Sequence, residues 1–434
     1  MKKVLLYVFF ALSGFVAFAQ SDAEVANPQL KKANEEKARI EKAEQRKKLN
    51  AGFSDSKMLS ATDVKNQGMT GTCWCFSTTS LIESQCLKNN LGSFDLSEMF
   101  SVRNTYLEKA KNYILRQGHA QFSEGGLGHD LINAIEKYGV MPESVYSGLK
   151  PISETSTNSH FAINKDKADV NAATKPTEQQ VKPTAPQHNH VKLVASLKQY
   201  LDSILQLKPV PENWVAGYEA ILNTEMGTPP AKFIYNGQEY TPKTFASNVL
   251  KFNANDYVYI TSFTHHPYYA PFIIEVPDNF SNGAYYNLPL SEMLQLTKEA
   301  VNKGVTVLWD ADVSNDGFAQ QIGYAYDMSS IPEKSRSKKD MINGEVKEGK
   351  IDADKRQLLF ENLTTQDDHL MHIVGSNISK DGKYYFNVKN SWGEVGPFQG
   401  FINVSEAYFA MNTISLVIPK TALSKAILEK LKLK

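Results

Sequence analysis

The chain has 434 residues, carries 47 Lys and Arg against 47 Asp and Glu, and is 42% hydrophobic. That composition describes a globular protein, long enough for one large domain or two to three smaller ones. A net charge of zero gives no electrostatic footprint for nucleic acid or for an acidic membrane surface, so neither is expected as a partner.

Residues 1–19 read as a secretory signal peptide. Lys2 and Lys3 form the charged start, Val4 to Phe18 the apolar core, and Ala17-Phe18-Ala19 a small-x-small cleavage site ahead of Gln20. The apolar run is too short for a transmembrane anchor. No Cys follows the cleavage point to take a lipid. The expectation is an exported bacterial protein, periplasmic or secreted, with no membrane attachment once the signal is removed. Residues 20–50 are dominated by Lys, Glu, Arg, Ala and Gln, with Val25, Leu30, Ile40 and Leu49 the main apolar positions. This is a charged helical or disordered linker, its apolar face too thin for a convincing inhibitory pro-segment. The principal domain is expected over 51–434, with Ser60 to Val64 as a short leading strand.

Gln67 to Ser80, QGMTGTCWCFSTTS, carries the first chemistry. Gly68 and Gly71 make a polar turn, and helical spacing begins at Cys73 and Trp74 and runs to Asn89-Asn90. Cys73 therefore sits in the first turn of a buried helix of about four turns. Unpaired N–H groups and the positive end of the helix dipole favour a thiolate there. Gln67 can bring an amide N–H toward the same point as the Cys73 backbone N–H, and two such donors form an oxyanion hole.

A core helix follows over 94–114, started by Ser97 and Glu98. Gly125-Gly126 precede another helix that ends at Tyr138-Gly139, with His129 expected on its surface. Residues 150–190 are polar and aperiodic; His188 and His190 lie there without the neighbours a metal site needs. Helices resume from Val191 and around Trp214 and Tyr218. A hairpin turned at Asn236-Gly237 leads into a helix at Thr241-Pro242. Strands are expected at 257–263, 272–276 and 304–309, and a helix at 289–302. His265 and His266 have no visible partner.

Leu370 to Ile378 and Tyr384 to Lys389 read as paired strands joined by Lys380-Asp381-Gly382. Counting pairs outward from that turn puts His372 opposite Asn390, whose amide can hold one imidazole nitrogen and leave the other for Cys73. Trp392 could shield that bond from water. His369 falls on the opposite strand face and is set aside. Cys75 and Cys86 share the nucleophile helix roughly 16 Å apart, too far for a disulfide.

The stretch Gln67 to Phe76, the Gly125-Gly126 pair with its YGVMPESVY continuation, the YTPKTF and VLWDADVS segments, the His266-Pro267 region and the NSWG motif at 390–393 together resemble the papain superfamily, in its bleomycin hydrolase and bacterial aminopeptidase C branch. The resemblance covers about residues 55–420. It implies an α+β, two-lobed fold, helical on one side and β-rich on the other, with a large helical insertion at about 150–250. It implies a cysteine peptidase with Gln67, Cys73, His372 and Asn390 as catalytic residues. Gly125, Gly126 and Trp392 would line the substrate cleft. Thr70 stands where that family often has a disulfide-bonded Cys, so no such disulfide is expected. Peptides are the implied partners; no cofactor and no metal are called for. A homo-oligomer is compatible with the resemblance, since hexamers occur in that branch. In the branch the C-terminal arm lies in the cleft and makes the enzyme an aminopeptidase. Here the end reads PKTALSKAILEKLKLK, a basic helix, so relaxed endopeptidase action is expected beside aminopeptidase action. A non-catalytic peptide-binding protein on the same fold and a Cys-His-Asn acyltransferase are the alternatives.

Overall fold

The structure, a computed structural model, describes residues 50–148 and 189–433 with scattered positions between 34 and 48. The signal-peptide segment, most of the 20–50 linker and most of the polar 150–190 stretch lie outside the described residues.

The helical part begins with α1, Cys73–Lys88, and α2, Glu98–Leu115. Ser97 caps α2 by accepting from the Phe100 N–H at 3.1 Å, as its position predicts. Helix α3, Gly128–Tyr138, ends at Gly139, whose φ of 79° suits glycine. Then follow α4, Val191–Leu205, and α5, Trp214–Met226, a hairpin and α6, Pro242–Asn248. The hairpin joins β2, Phe233–Tyr235, to β3, Gln238–Tyr240, through Asn236 and Gly237, both at positive φ as a tight two-residue turn requires. Helix α1 is buried almost all round: Trp74, Cys75, Leu81 and Ile82 are each at most 2% exposed. Two of its buried hydroxyls bond within the helix, Ser77 Oγ to the Cys73 carbonyl and Thr78 Oγ1 to that of Trp74, while Ser84 Oγ has no partner among the described residues.

The β-rich part uses β4 (Tyr257–Thr261), β5 (Pro271–Ile273), β6 (Ala284–Asn287), β7 (Val307–Ala311), β8 (Phe318–Ala319), β9 (Tyr324–Ala325), β10 (His369–Ile378), β11 (Tyr384–Lys389), β12 (Phe401–Ser405) and β13 (Thr413–Pro419). They join in the order β5-β6-β4-β13-β7-β10-β11-β12-β9-β8, a mixed sheet. The central strands β7 and β13 are buried along their whole length because both faces are covered. Leu308, Leu370 and Val417 pack in the core that includes α1, while Val307, Trp309, Met371 and Leu416 pack against α7, Leu290–Asn302. This alternation is the period of two that puts successive side chains on opposite faces.

Two sequence expectations shift. The strand expected at 304–309 is Val307–Ala311, because Gly304 at φ 74° and Val305, whose N–H bonds the Ala300 carbonyl, still finish the preceding helix. The strand expected at 60–64 forms earlier, as β1, Asp55–Met58; after Leu59 bonds the Val374 carbonyl the chain leaves the ladder and runs toward Gln67. The C-terminal helix is present as Lys425–Lys430. Ile427, Leu428, Leu431 and Leu433 pack into the core beneath α7, and Lys430 bonds Glu292 of α7 at 2.9 Å. No helix among the described residues is long and apolar enough to cross a membrane.

Candidate active site

Cys73 is the first residue of α1 and is 8% exposed. Thr72, the cap position, does not cap with its side chain; its hydroxyl pairs with that of Thr70 at 2.5 Å. As the first helical residue, Cys73 has a backbone N–H with no backbone partner among the described residues, at the positive end of the helix. Burial pushes the thiol up to about 12; a backbone hydrogen bond from Leu370 lowers it, and Asp367, Asp310 and Asp278 raise it. The Leu370 backbone is thus at the sulfur, and Leu370 follows His369 directly. Ser77 Oγ reinforces the approach of helix and strand, its one proton shared between the Cys73 carbonyl at 2.6 Å and the Leu370 carbonyl at 2.5 Å.

The imidazole held by Asn390 is His369, not His372. His369 Nε2 and Asn390 Oδ1 are 2.7 Å apart, and both residues are buried. Asn390 is oriented from its other end: Nδ2 donates to Gln320 Oε1 at 3.0 Å, while Oδ1 also accepts from the Ser391 N–H at 2.7 Å. An amide oxygen only accepts, so His369 Nε2 carries the proton and Nδ1 keeps its lone pair. Trp392 lies over the ring, centroids 4.6 Å apart and planes tilted by 34°. Burial lowers the His369 pKa, against the raising effects of the Asn390 bond and Asp368.

Counting strand pairs misplaces the histidine because β11 stops at Lys389. Asn390 is already outside the β10–β11 ladder, its N–H bonding the Gly400 carbonyl, so its side chain is free to meet the first residue of β10. His372 lies deeper, paired with Leu308 of β7. Its Nδ1 is 2.8 Å from Ser80 Oγ, which accepts from Lys389 Nζ at 2.8 Å. The other ring nitrogen, Nε2, is buried and has no partner among the described residues. Burial first, then the Lys389 charge, hold the His372 pKa well below the usual range. The ring lines a small polar cavity with Lys65, Glu83, Glu98 and Lys389.

Gln67 is 8% exposed and docks through both its backbone and its side chain. Its N–H bonds the Ser391 carbonyl at 2.8 Å, and its Oε1 accepts from Ser391 Oγ at 2.6 Å. The amide NH2 is left unbonded among the described residues. Ser391 therefore ties the Gln67 loop to the Asn390 turn. Gly126 sits under Trp74, where a Cβ would lie 3.1 Å from the indole, whose Nε1 donates to the Glu124 carbonyl. Gly125 is covered by Asp278: a Cβ there would be 1.8 Å from its Oδ2.

The other polar candidates resolve differently. His129 is buried rather than on the surface, its Nδ1 on Tyr285 Oη at 2.8 Å and its Nε2 on Ser281 Oγ at 2.7 Å. His190 is buried against Tyr106. His265 and His266 do have a partner, Glu275, at 3.2 and 2.8 Å, and the three could converge on a cation. Gln357, however, donates to His265 Nδ1 while its Oε1 accepts from the Thr264 N–H, which puts the ring proton on Nε2 toward Glu275. A metal at Nε2 needs the opposite tautomer. Cys73, Cys75 and Cys86 are all free and buried. Sequence reasoning did not find Gln320, Ser391 or His369; the signal available for His369 was its place at the start of the strand, next to the leucine that reaches Cys73.

A helical lobe that presents Cys73 and a β-rich lobe that presents a His–Asn pair make a papain-like cysteine-peptidase fold. The chain belongs to the Peptidase C1-like family, whose model matches residues 119–434, and is a cysteine-type peptidase. It is 22% identical to Aminopeptidase G of Lactobacillus delbrueckii subsp. lactis, over 85% of this chain and 83% of that protein. It is 24% identical to Aminopeptidase C of Listeria innocua, over 84% and 82%. Among solved structures, PepW from Lactobacillus rhamnosis superposes with a TM-score of 0.64 at 20% identity, covering 100% of this chain and 95% of that one.

Proposed function

We propose that the protein hydrolyses peptide bonds with Cys73 as nucleophile, His369 as proton carrier and Asn390 as the group that orients it. The observation that carries this reading is the 2.7 Å bond from His369 Nε2 to Asn390 Oδ1 beside the Leu370 backbone that meets the thiol. The thiol proton passes to His369 Nδ1 as Sγ bonds the substrate carbonyl carbon. The oxyanion is held by the Cys73 N–H and the Gln67 amide. The imidazolium then protonates the leaving amine, and the thioester is hydrolysed by a water that gives its proton to the same nitrogen. Burial opposes a lone thiolate and a lone imidazolium alike, so the charges form together, each stabilising the other.

The test is turnover of a fluorogenic peptide and labelling by a thiol-reactive peptide inhibitor. Cys73→Ala should abolish both while Cys75 and Cys86 remain. Undiminished labelling of that variant would overturn the assignment. Running the assay with an added amine acceptor separates hydrolysis from acyl transfer, and a folded wild-type protein that turns over no peptide would favour the binding-protein alternative.

The names of the relatives favour aminopeptidase action. The helix Lys425–Lys430, docked beneath α7 by Leu431 and Lys430, favours a cleft that this segment does not close, and hence some endopeptidase action. Comparing amino-blocked and free-amine forms of one peptide decides between them. Export by the apolar leader belongs to the same reading, and a mature N-terminus at Gln20 in the periplasmic or culture fraction would support it.

A further inference from the structure

A pocket of about 320 Å³ opens at the far end of α1, where Gln85 and Cys86 line it. That is roughly 18–20 Å along the helix from Cys73, so the pocket is separate from the catalytic cleft. Its volume is that of a small-molecule site. Three segments distant in sequence enclose it: the last turns of α1, the chain from Leu250 to Tyr257 that leads from α6 into β4, and Pro419 to Thr421 at the end of β13. Ile82, Leu250, Phe252 and Pro419 supply an apolar wall. The Phe252 ring stacks on that of Tyr257, centroids 6.0 Å apart and planes at 26°.

The polar groups of the lining are short of acceptors. Gln85 Nε2 is buried and has no hydrogen-bond partner among the described residues. Burial, then the Cys86 thiol, raise the Tyr257 pKa, which sets that phenol beside the thiol. Cys86 is free and 3% exposed. Lys251 and Lys420 also line the pocket, and neither forms an ion pair among the described residues. Lys251 holds a left-handed φ of 52°, in the turn after α6 that the Phe252 N–H closes on the Ala246 carbonyl. Glycine is the usual residue at such a place, so a lysine is kept there against backbone strain. The acid in the lining is Asp256, whose Oδ1 accepts from Asn253 Nδ2 at 3.1 Å. Two unpaired ammonium groups against one carboxylate, together with a buried amide donor that lacks an acceptor, fit a ligand that brings negative charge and acceptor oxygens. The apolar wall fits hydrocarbon attached to it.

We propose that this pocket binds a small organic carboxylate with an apolar body, its oxygens on Gln85, Lys251 and Lys420 and its hydrocarbon against Ile82, Leu250, Phe252 and Pro419. Free aryl or alkyl carboxylic acids carry that chemistry, and so does the C-terminal residue of an apolar peptide. The proposal goes beyond the peptidase reading and does not depend on it.

The experiment is isothermal titration with 4-phenylbutyrate, its uncharged counterpart 4-phenylbutyramide, and N-acetyl-phenylalaninate. The proteins are the wild-type chain, Cys73→Ala, Gln85→Leu, and the double variant Lys251→Asn with Lys420→Met. Asparagine is chosen at 251 because it tolerates the left-handed φ. At least one carboxylate should bind the wild-type chain tenfold or more tightly than the amide does. Cys73→Ala should bind it as the wild type does, and Gln85→Leu and the double lysine variant should each weaken it fivefold or more. Tighter binding of 4-phenylbutyrate assigns the pocket to a free acid; tighter binding of N-acetyl-phenylalaninate assigns it to a peptide end. No binding of either carboxylate overturns the proposal, as does equal affinity for the amide. Unchanged affinity in the folded pocket variants, or loss of binding in Cys73→Ala, would place the probe elsewhere and overturn it too. A thermal melt checks each fold, and if one pocket variant does not fold the other alone locates the site.

Discussion

Replacing His369 and His372 separately is the sharpest test of the site. In the proposed mechanism, His369→Ala removes the ring whose Nδ1 both takes the thiol proton and returns it to the leaving amine. General acid–base catalysis contributes about 10²–10⁴-fold, and one ring serving both steps points to the upper end, or about 5 kcal/mol of barrier. Asn390 would keep its bonds to Gln320 and Ser391, so the fold should survive. His372→Leu removes one hydrogen bond to Ser80 and also the buried Nε2, which has no partner among the described residues. The first loss costs about 1 kcal/mol and the second change partly offsets it, so its turnover should stay within roughly threefold of wild type. The assay is kcat and KM on a free-amine fluorogenic peptide, the alkylation rate of Cys73, and a thermal melt for each variant. A folded His372→Leu protein that loses as much turnover as His369→Ala would refute the assignment.

Gln67→Ala should lower kcat by about 10²–10³-fold with a smaller effect on KM, as expected for loss of one oxyanion donor; unchanged kcat would remove Gln67 from the site. Gly128→Ala should destabilise by about 1–3 kcal/mol in a denaturant melt, because its Cβ would lie 2.2 Å from Leu308 Cδ2 and 2.8 Å from Val417 Cγ2, where α3 meets the sheet. The third concerns pH. Burial holds the folded-state pKa of His372 well below its unfolded value, so below about pH 6.5 the unfolded chain binds a proton that the folded chain refuses. The stabilisation is full above that pH and is lost as pH falls toward the folded value. The wild-type chain should thus lose about 1.4 kcal/mol per pH unit relative to His372→Leu over that window; equal slopes for the two would mean the ring is not held neutral.

Much of this protein was determined locally and so was legible in the sequence. The helix starting at Cys73, the Ser97 cap, the Asn236-Gly237 turn and the stop at Gly139 all depend on residues within one or two turns of themselves, where capping and positive φ act. The place of Cys73 at a helix start followed from such a signal, since a helix start is a local event. The choice between His369 and His372 did not. It depends on where a ladder ends, and that is set by Asn390 bonding Gly400 and Gln320 across other strands. Alternation along the strand could not say which ring the thiol would approach, because that is fixed by how α1 seats on the sheet through Ser77 and Leu370. The carboxyls of Asp278, Asp310 and Asp367 are far apart or unremarkable in the sequence. Only tertiary packing brings them to one thiol, because strand register and the covering of Gly125 are long-range consequences of burying the two faces of the sheet.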